Sequence, residues 1–242
     1  MVRFRVGKSY RFKRMKVAAI IFSRMASSRL PGKALRHIAG EPLIKRVINR
    51  VSKVKKLSTV VVATSNSKND DRLVEYIQSL NIEVFRGAAH DVLNRAVSCA
   101  SYLGVDKFIR INGDSPLIDP ELLEKGIEMW REPNLDLISN VFPRTYPVGT
   151  SVEIIKTDSL KKILSLTVDS CDREHVTRFF YRNPEKFRIL NFESGRSELR
   201  KVRLAVDTEE DLERIDWLFK EFGGLINFEM AAEKSLLWSR VE

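Results

Sequence analysis

The chain has 242 residues, 43% of them hydrophobic and 31% charged, with a formal net charge of +10. That length and balance suit a soluble globular protein with a sizeable core, and exclude a disordered or fibrous chain. Seven Lys and Arg lie in the first sixteen residues, MVRFRVGKSYRFKRMK, which hold no acid, so the remainder carries only about +3. A dedicated nucleic-acid binder would place its basic face on the folded domain, so no nucleic-acid partner is expected.

The basic N-terminal arm over 1–15 reads either as an extension, including upstream sequence before a later start at Met15, or as a contact for a polyanion or membrane surface. Residues 16–242 read as a single domain, with no internal repeat and no low-complexity linker. KVAAIIF (16–22) is a short apolar run, expected as a strand. In PLIKRVINRVSKV, Leu43, Ile44, Val47, Ile48, Val51 and Val54 recur at helical spacing. TVVVAT (59–64) is continuous and β-branched, as in a strand covered on both faces. DRLVEYIQSL reads as a helix stopped near Asn81, and IEVF (82–85) as a strand. DVLNRAVSCASYLG begins with Asp91 as N-cap and ends with Gly104 as C-cap. DKFIRIN (106–112) is another strand; Asp119 followed by Pro120 starts a helix; DLISN is again short and apolar.

Strands alternating with helices imply an α/β fold: a mainly parallel Rossmann-like sheet with helices on both faces. Such sheets bind ligands at the carboxyl ends of their strands, so the loops after VAAIIF, VVVAT and FIRIN are expected to share one mouth. After about residue 142 the pattern changes. SVEIIK, FRILNFE and KVRLAVD read as strands and DREHVTRFFYRN as a helix, a small α+β lobe. TEEDLERIDWLFKEFG opens on Thr208 as cap with acids in its first turn. Cys99 and Cys171 lack metal-ligand spacing and imply a reducing, cytoplasmic location. No continuous apolar signal region or membrane-length apolar run is present.

Three segments suggest chemistry. SRMASSRLPGK leaves the first strand with Arg24, Arg29 and Lys33 as candidates to neutralise phosphates, and with Ser27 and Ser28 as loop hydroxyls. It matches neither a Walker loop nor a dinucleotide fingerprint, and the alternative is a solvated basic loop. In RINGDSPLIDP a strand ends at Asn112, Gly113 permits a tight turn, and Asp114 stands at the ligand edge. A carboxylate there suits Mg²⁺, which takes one or two carboxylates plus substrate phosphates; the alternative is a turn cap near Pro116. In VRLAVDTEEDLERI, Asp207 also ends an apolar run, as a second metal ligand or a helix cap.

Together these segments resemble the cytidylyltransferases that activate acidic sugars, such as the 3-deoxy-manno-octulosonate and acylneuraminate enzymes. SRMASSRLPGK followed by IAGEPLIKRVI, then ATSNSKNDD, NGDSPLID and VDTEEDL, stand in the order of that family's nucleotide loop and first helix, base-side loop and two metal-aspartate turns. VFRGAAHDVLNR, RTYPVGTSVEI and DREHVTRFFYRNPEKF look closer still to the SpsF-type branch, linked to spore-coat and surface polysaccharide synthesis. The resemblance spans about residues 16–220 and implies a nucleotidyltransferase fold and transfer of CMP from CTP to a sugar acid or similar acceptor. It implies that Arg24 and Lys33 hold the CTP phosphates with Arg29 and Ser28 in support, that Asp114 and Asp207 bind Mg²⁺, that Asn112 and Gly113 lie near nucleotide, and that Thr64 and Ser65 lie near the base. Arg144, Tyr146, Gly149, Glu153, His175 and Arg178 would face the acceptor. The resemblance also implies a homodimer. Val148 and Ser151 depart from the branch, which carries acids near YPVGTSVE.

No residue stands out as a general base, and His37 and His90 read as structural. No G-x-S-x-G elbow follows a strand, so a Ser-His-Asp hydrolase is not expected. A nucleotide-sugar glycosyltransferase would use an Asp-x-Asp motif, which GDSPLID does not supply. A non-catalytic polyanion binder would rely on the basic arm.

Overall fold

A computed structural model describes residues 16–238. The basic arm, and the expectations attached to it, lie outside the described residues. Within them one seven-stranded sheet runs in the order β5-β4-β1-β6-β8-β7-β9. Its strands are β1 (Val17–Phe22), β4 (Thr59–Ser65), β5 (Glu83–Gly87), β6 (Lys107–Asn112), β7 (Leu137–Ser139), β8 (Glu153–Lys156) and β9 (Ile189–Asn191). A separate two-stranded ribbon pairs β2 (His37–Ile38) with β3 (Glu41–Pro42). β1 is parallel to β4 and β6, and β4 to β5; β8 runs antiparallel to β6 and β7.

The period-2 alternation of strands explains the two covered faces. In β1, Val17, Ala19 and Ile21 face one core and Ala18 and Ile20 the other. The first core takes the apolar stripes of α1 (Leu43–Val51), α2 (Asp71–Ser79), α4 (Pro120–Met129), α8 (Glu209–Phe222) and α9 (Phe228–Ser235). The second takes α3 (Val92–Tyr102), α5 (Thr157–Leu166) and, through Phe180, α7 (Arg178–Arg182). Cys99 is buried in this second core, where desolvation pushes its thiol up to about 12, so it packs as a small apolar group. No helix of the described residues is long and apolar enough to cross a membrane.

The expected caps form. The Asp91 side chain accepts the Asn94 amide, and Asp119 accepts those of Glu121 and Leu122. The second half departs from the sequence pattern in informative ways. β8 and β9 extend the same sheet, next to β7, instead of building a sheet of their own. The segment expected as one helix over DREHVTRFFYRN is broken into α6 (Ser170–Glu174) and α7, because the backbone leaves helical geometry at His175 (φ −107°, ψ 89°). KVRLAVD forms no strand. A 3-10 turn over Ser197–Lys201 precedes an extended stretch that hydrogen-bonds Val148 and then the Asp114 carbonyl, through Val206 N at 2.9 Å.

Two local devices fix the edge where β1, β4 and β6 end. Gly113 hydrogen-bonds Phe22 O (2.9 Å), and a Cβ there would sit 2.8 Å from that oxygen and 2.7 Å from Ser23 Cβ. Asp70, 1% exposed, accepts hydrogen bonds from Thr64 Oγ1 (2.8 Å), Ser65 N (3.0 Å) and Ser65 Oγ, and from Met25 N (2.7 Å) in the loop after β1. Burial pushes the Asp70 carboxyl up, but hydrogen bonds from Ser65, Met25 and Thr64 outweigh it and hold the pKa below its ordinary 3.8.

Gly113→Ala is therefore expected to cost about 1–3 kcal/mol in urea unfolding, because backbone on β1 cannot yield to the added methyl. Asp70→Asn is expected to cost about 1–3 kcal/mol at neutral pH. The carboxylate's folded pKa is depressed, so its stabilisation is complete above the unfolded value of 3.8 and is lost as pH falls through the lower folded value. Unfolding curves of the two proteins should accordingly converge in strong acid and separate above that range.

Candidate active site

Phe22 pairs in register with Ala63 on β4 and with Asn112 on β6, so the three following loops open at one edge. There Phe22, Ser23, Arg24, Ser27, Ser28, Arg29, Lys33, Gly113, Asp114, His175 and Asp207 line one cavity of about 330 Å³. The loop after β1 is closed by Gly32 N on Met25 O (3.0 Å) and anchored by Leu30, which is buried in the first core. Gly32 adopts φ +69°, a left-handed geometry that starts the short turn carrying Lys33.

Lys33 is the hub. Its ammonium donates to Asp114 Oδ2 (2.8 Å), Asp207 Oδ1 (3.1 Å) and the Val206 carbonyl (2.9 Å). Asp207 also pairs with Arg29 (3.0 Å) and with Arg203 (2.8 Å). Arg24 pairs with Glu174 (2.8 Å) and donates to Ala89 O (3.2 Å). The helix-cap alternative for Asp207 meets an answer here. Thr208 and Asp211 form a reciprocal capping box at the start of α8, so the helix is capped without the Asp207 carboxylate. Asp114 likewise directs Oδ2 at Lys33, and its turn is closed by backbone bonds of Ser115 and Ile118.

The cavity thus gathers Arg24, Ser28, Arg29, Lys33, Gly113, Asp114, His175 and Asp207 from the residues singled out in the sequence. Eight others lie behind it. Thr64 and Ser65 are buried and spend their hydroxyls on Asp70, and Asn112 ends β6 beside Gly113. Tyr146 is 2% exposed, packs against Phe192 and Phe228, and donates to Glu193 O (3.2 Å), so it serves the core. Gly149 has φ +103°, and a Cβ there would meet Ala205 N at 2.6 Å, a requirement of chain crossing. Arg178 ties α7 to α6 through Asp172 (2.7 Å) and Asp169 (3.2 Å). Arg144 donates to Ser151 Oγ (3.0 Å), and Glu153 is buried against Arg110.

Three charged cavity residues were not anticipated: Arg95, Arg110 and Glu174. Arg95, 2% exposed, donates to Ala88 O (2.7 Å), next to the carbonyl that holds Arg24. The signal for it is a cation on the apolar face of VLNRAVSCA; for Arg110 it is a cation inside the apolar strand FIRIN. Glu174 is carried to the cavity by the break at His175, which the helical pattern conceals.

Known proteins share this arrangement of chain. The sequence profile of the cytidylyltransferase family matches residues 18–239. The spore coat polysaccharide biosynthesis protein SpsF of Bacillus subtilis is 31% identical over 84% of this chain and 86% of its own length. A 3-deoxy-manno-octulosonate cytidylyltransferase of Geobacter metallireducens is 33% identical over 70% of this chain and 62% of its own. The structure of a cytidylyltransferase from Leptospira borgpetersenii serovar Hardjo-bovis superposes with a TM-score of 0.87 at 29% identity, covering 94% of this chain and 95% of that one. With a profile match across nearly all the described residues, this chain belongs to the cytidylyltransferase family of enzymes.

Proposed function

We propose that the chain transfers CMP from CTP to a sugar acid, with release of pyrophosphate and dependence on Mg²⁺. The observation that carries this reading is the convergence of Asp114, Asp207 and the Val206 carbonyl on one cation, the Lys33 ammonium, directly beneath a loop bearing Arg24 and Arg29. Three oxygens around one cation are a donor set that also fits a hard divalent ion. Among the described residues no three or more His, Cys, Asp or Glu are grouped so that they could hold a metal ion by themselves, so a metal here would complete its shell with phosphate and water oxygens. Asp114 and Asp207 are the residues that would hold Mg²⁺, which when bound neutralises phosphate charge and favours ionisation of a coordinated oxygen.

The chain's own residues supply the rest. An acceptor hydroxyl gives up its proton to water and its oxygen attacks the α-phosphorus in line; the new P–O bond forms as the bond to pyrophosphate breaks. Arg24, Arg29 and Lys33 neutralise the departing phosphates, and Ser28 offers a hydroxyl to them. To bind nucleotide, these cations exchange their present carboxylate partners for phosphate oxygens. The sugar-acid acceptor follows the named substrate of the Geobacter relative, and a role in glycan synthesis follows SpsF. A homodimer, a cytoplasmic location and one catalytic domain beyond residue 15 belong to the same reading.

The test is pyrophosphate release from each of the four nucleoside triphosphates against a panel of sugar acids, with CTP expected to be used. Asp114→Ala and Asp207→Ala should each reduce Mg²⁺-dependent release by about a hundredfold or more. Full activity in both would refute the metal assignment. Lys33→Ala should lower kcat/KM for CTP; unchanged kinetics would sink the phosphate-loop assignment.

A further inference from the structure

Arg110 sits on β6, between the strand that feeds the phosphate loop and β8, and it lines the cavity beside His175. Alternation along β6 puts it on the same face as Phe108, in the second core. Its Nη1 is 2.6 Å from Glu153 Oε2, in a pair whose side chains are 18% and 4% exposed. The other Glu153 oxygen accepts from Tyr181 Oη (2.7 Å), with Thr177 adding a hydrogen bond, and Tyr181 meets Ser139 Oγ at 2.8 Å. A buried ion pair in an apolar face is a poor source of stability compared with apolar packing. It is a good way to fix the direction of one guanidinium.

The local charge does not balance. Glu153 also faces Arg144, which makes no salt bridge among the described residues and donates only to Ser151 Oγ and Pro147 O. Burial pushes the Glu153 carboxyl up, but Arg110 and the hydrogen bonds outweigh it, so the group stays ionised. Burial, then the neighbouring Glu153 charge, push the Tyr181 phenol well above its usual range, so it stays neutral. Two guanidiniums against one carboxylate leave an excess positive charge around Glu153, and of the two it is Arg110 that lines the cavity. The described residues give Arg110 Nη2 no hydrogen bond, while the triphosphate cations stand apart on the loop after β1.

We propose that Arg110 is the specificity-determining residue that binds the anionic group of the acceptor, with Glu153 and Tyr181 as positioning residues. This assignment rests on the nucleotidyl-transfer reading of the site. It also gives Glu153 a part in acceptor recognition from behind Arg110, without contact.

The experiment measures pyrophosphate release from CTP with sugar acids and with their uncharged carboxamides, for wild type, Arg110→Lys, Arg110→Gln, Tyr181→Phe and the double variant R110Q/E153Q. The double variant removes both buried charges together, in case Arg110→Gln alone fails to fold. Wild type should prefer acid over amide at least tenfold in kcat/KM. Arg110→Gln and the double variant should lose that preference through KM for the acid, with CTP affinity within about twofold of wild type. Arg110→Lys should restore part of it, and Tyr181→Phe should weaken it less. Equal use of acid and amide by wild type would overturn the assignment while leaving nucleotidyl transfer intact. So would an acid preference that survives in the double variant, or a loss of CTP affinity in it. Absence of pyrophosphate release with every acceptor would overturn the underlying reading and this assignment with it.

Discussion

The site is organised around a single ammonium group. Lys33 reaches from the loop after β1 to carboxylates on the turn after β6 and on the stretch before α8. These three segments are remote in sequence, and only a sheet that sets β1 beside β6 brings the first two together. The third has no strand of its own. It is drawn in by the hydrogen bond from Val206 N to Asp114 O, so the two aspartates are coupled through backbone as well as through Lys33. Gly113 makes this possible by letting β6 turn against Phe22 and Ser23 without a side chain between them.

Each cation on the loop now rests on an acid: Lys33 on Asp114 and Asp207, Arg29 on Asp207, and Arg24 on Glu174. The more exposed of these pairs, Arg24 with Glu174 and Arg29 with Asp207, are worth little, on the order of 1 kcal/mol or less. They keep opposite charges close without locking them. A ligand that carries both a polyanion and a divalent cation would exchange partners with the whole set at once, with little net loss. Asp70 supplies the fixed part, because its bonds to Met25 and β4 hold the loop's first residues whatever the cations do.

Much of this was legible in the chain. VAAIIF, VVVAT and FIRIN read as covered strands from their composition, and Asp119-Pro120 and Thr208 marked helix starts that the caps realise. The basic loop after β1, Asp114 and Asp207 were visible because polar residues follow directly on apolar runs. What stayed hidden depends on long-range contact. Periodicity joined α6 to α7, since nothing in REHVT breaks a helical pattern; in the structure the backbone leaves helical geometry at His175, next to Glu174, which pairs with Arg24. KVRLAVD has strand composition, yet it serves to deliver Asp207. Thr64 and Ser65 carry hydroxyls suited to a base, but Asp70, six residues on from Thr64, takes them. Tyr146 and Gly149 sit in RTYPVGTSVEI, where the resemblance implied acceptor contacts, and their neighbours in the structure show packing and chain crossing.

The proposed function turns on whether the Lys33 cradle is a site for Mg²⁺ and triphosphate together. Calorimetric titration of the full chain with CTP, with and without Mg²⁺, measures that directly. The account predicts weak binding without the metal and binding at least tenfold tighter with it. Equal affinity in the two conditions, or no binding of CTP in either, would contradict it.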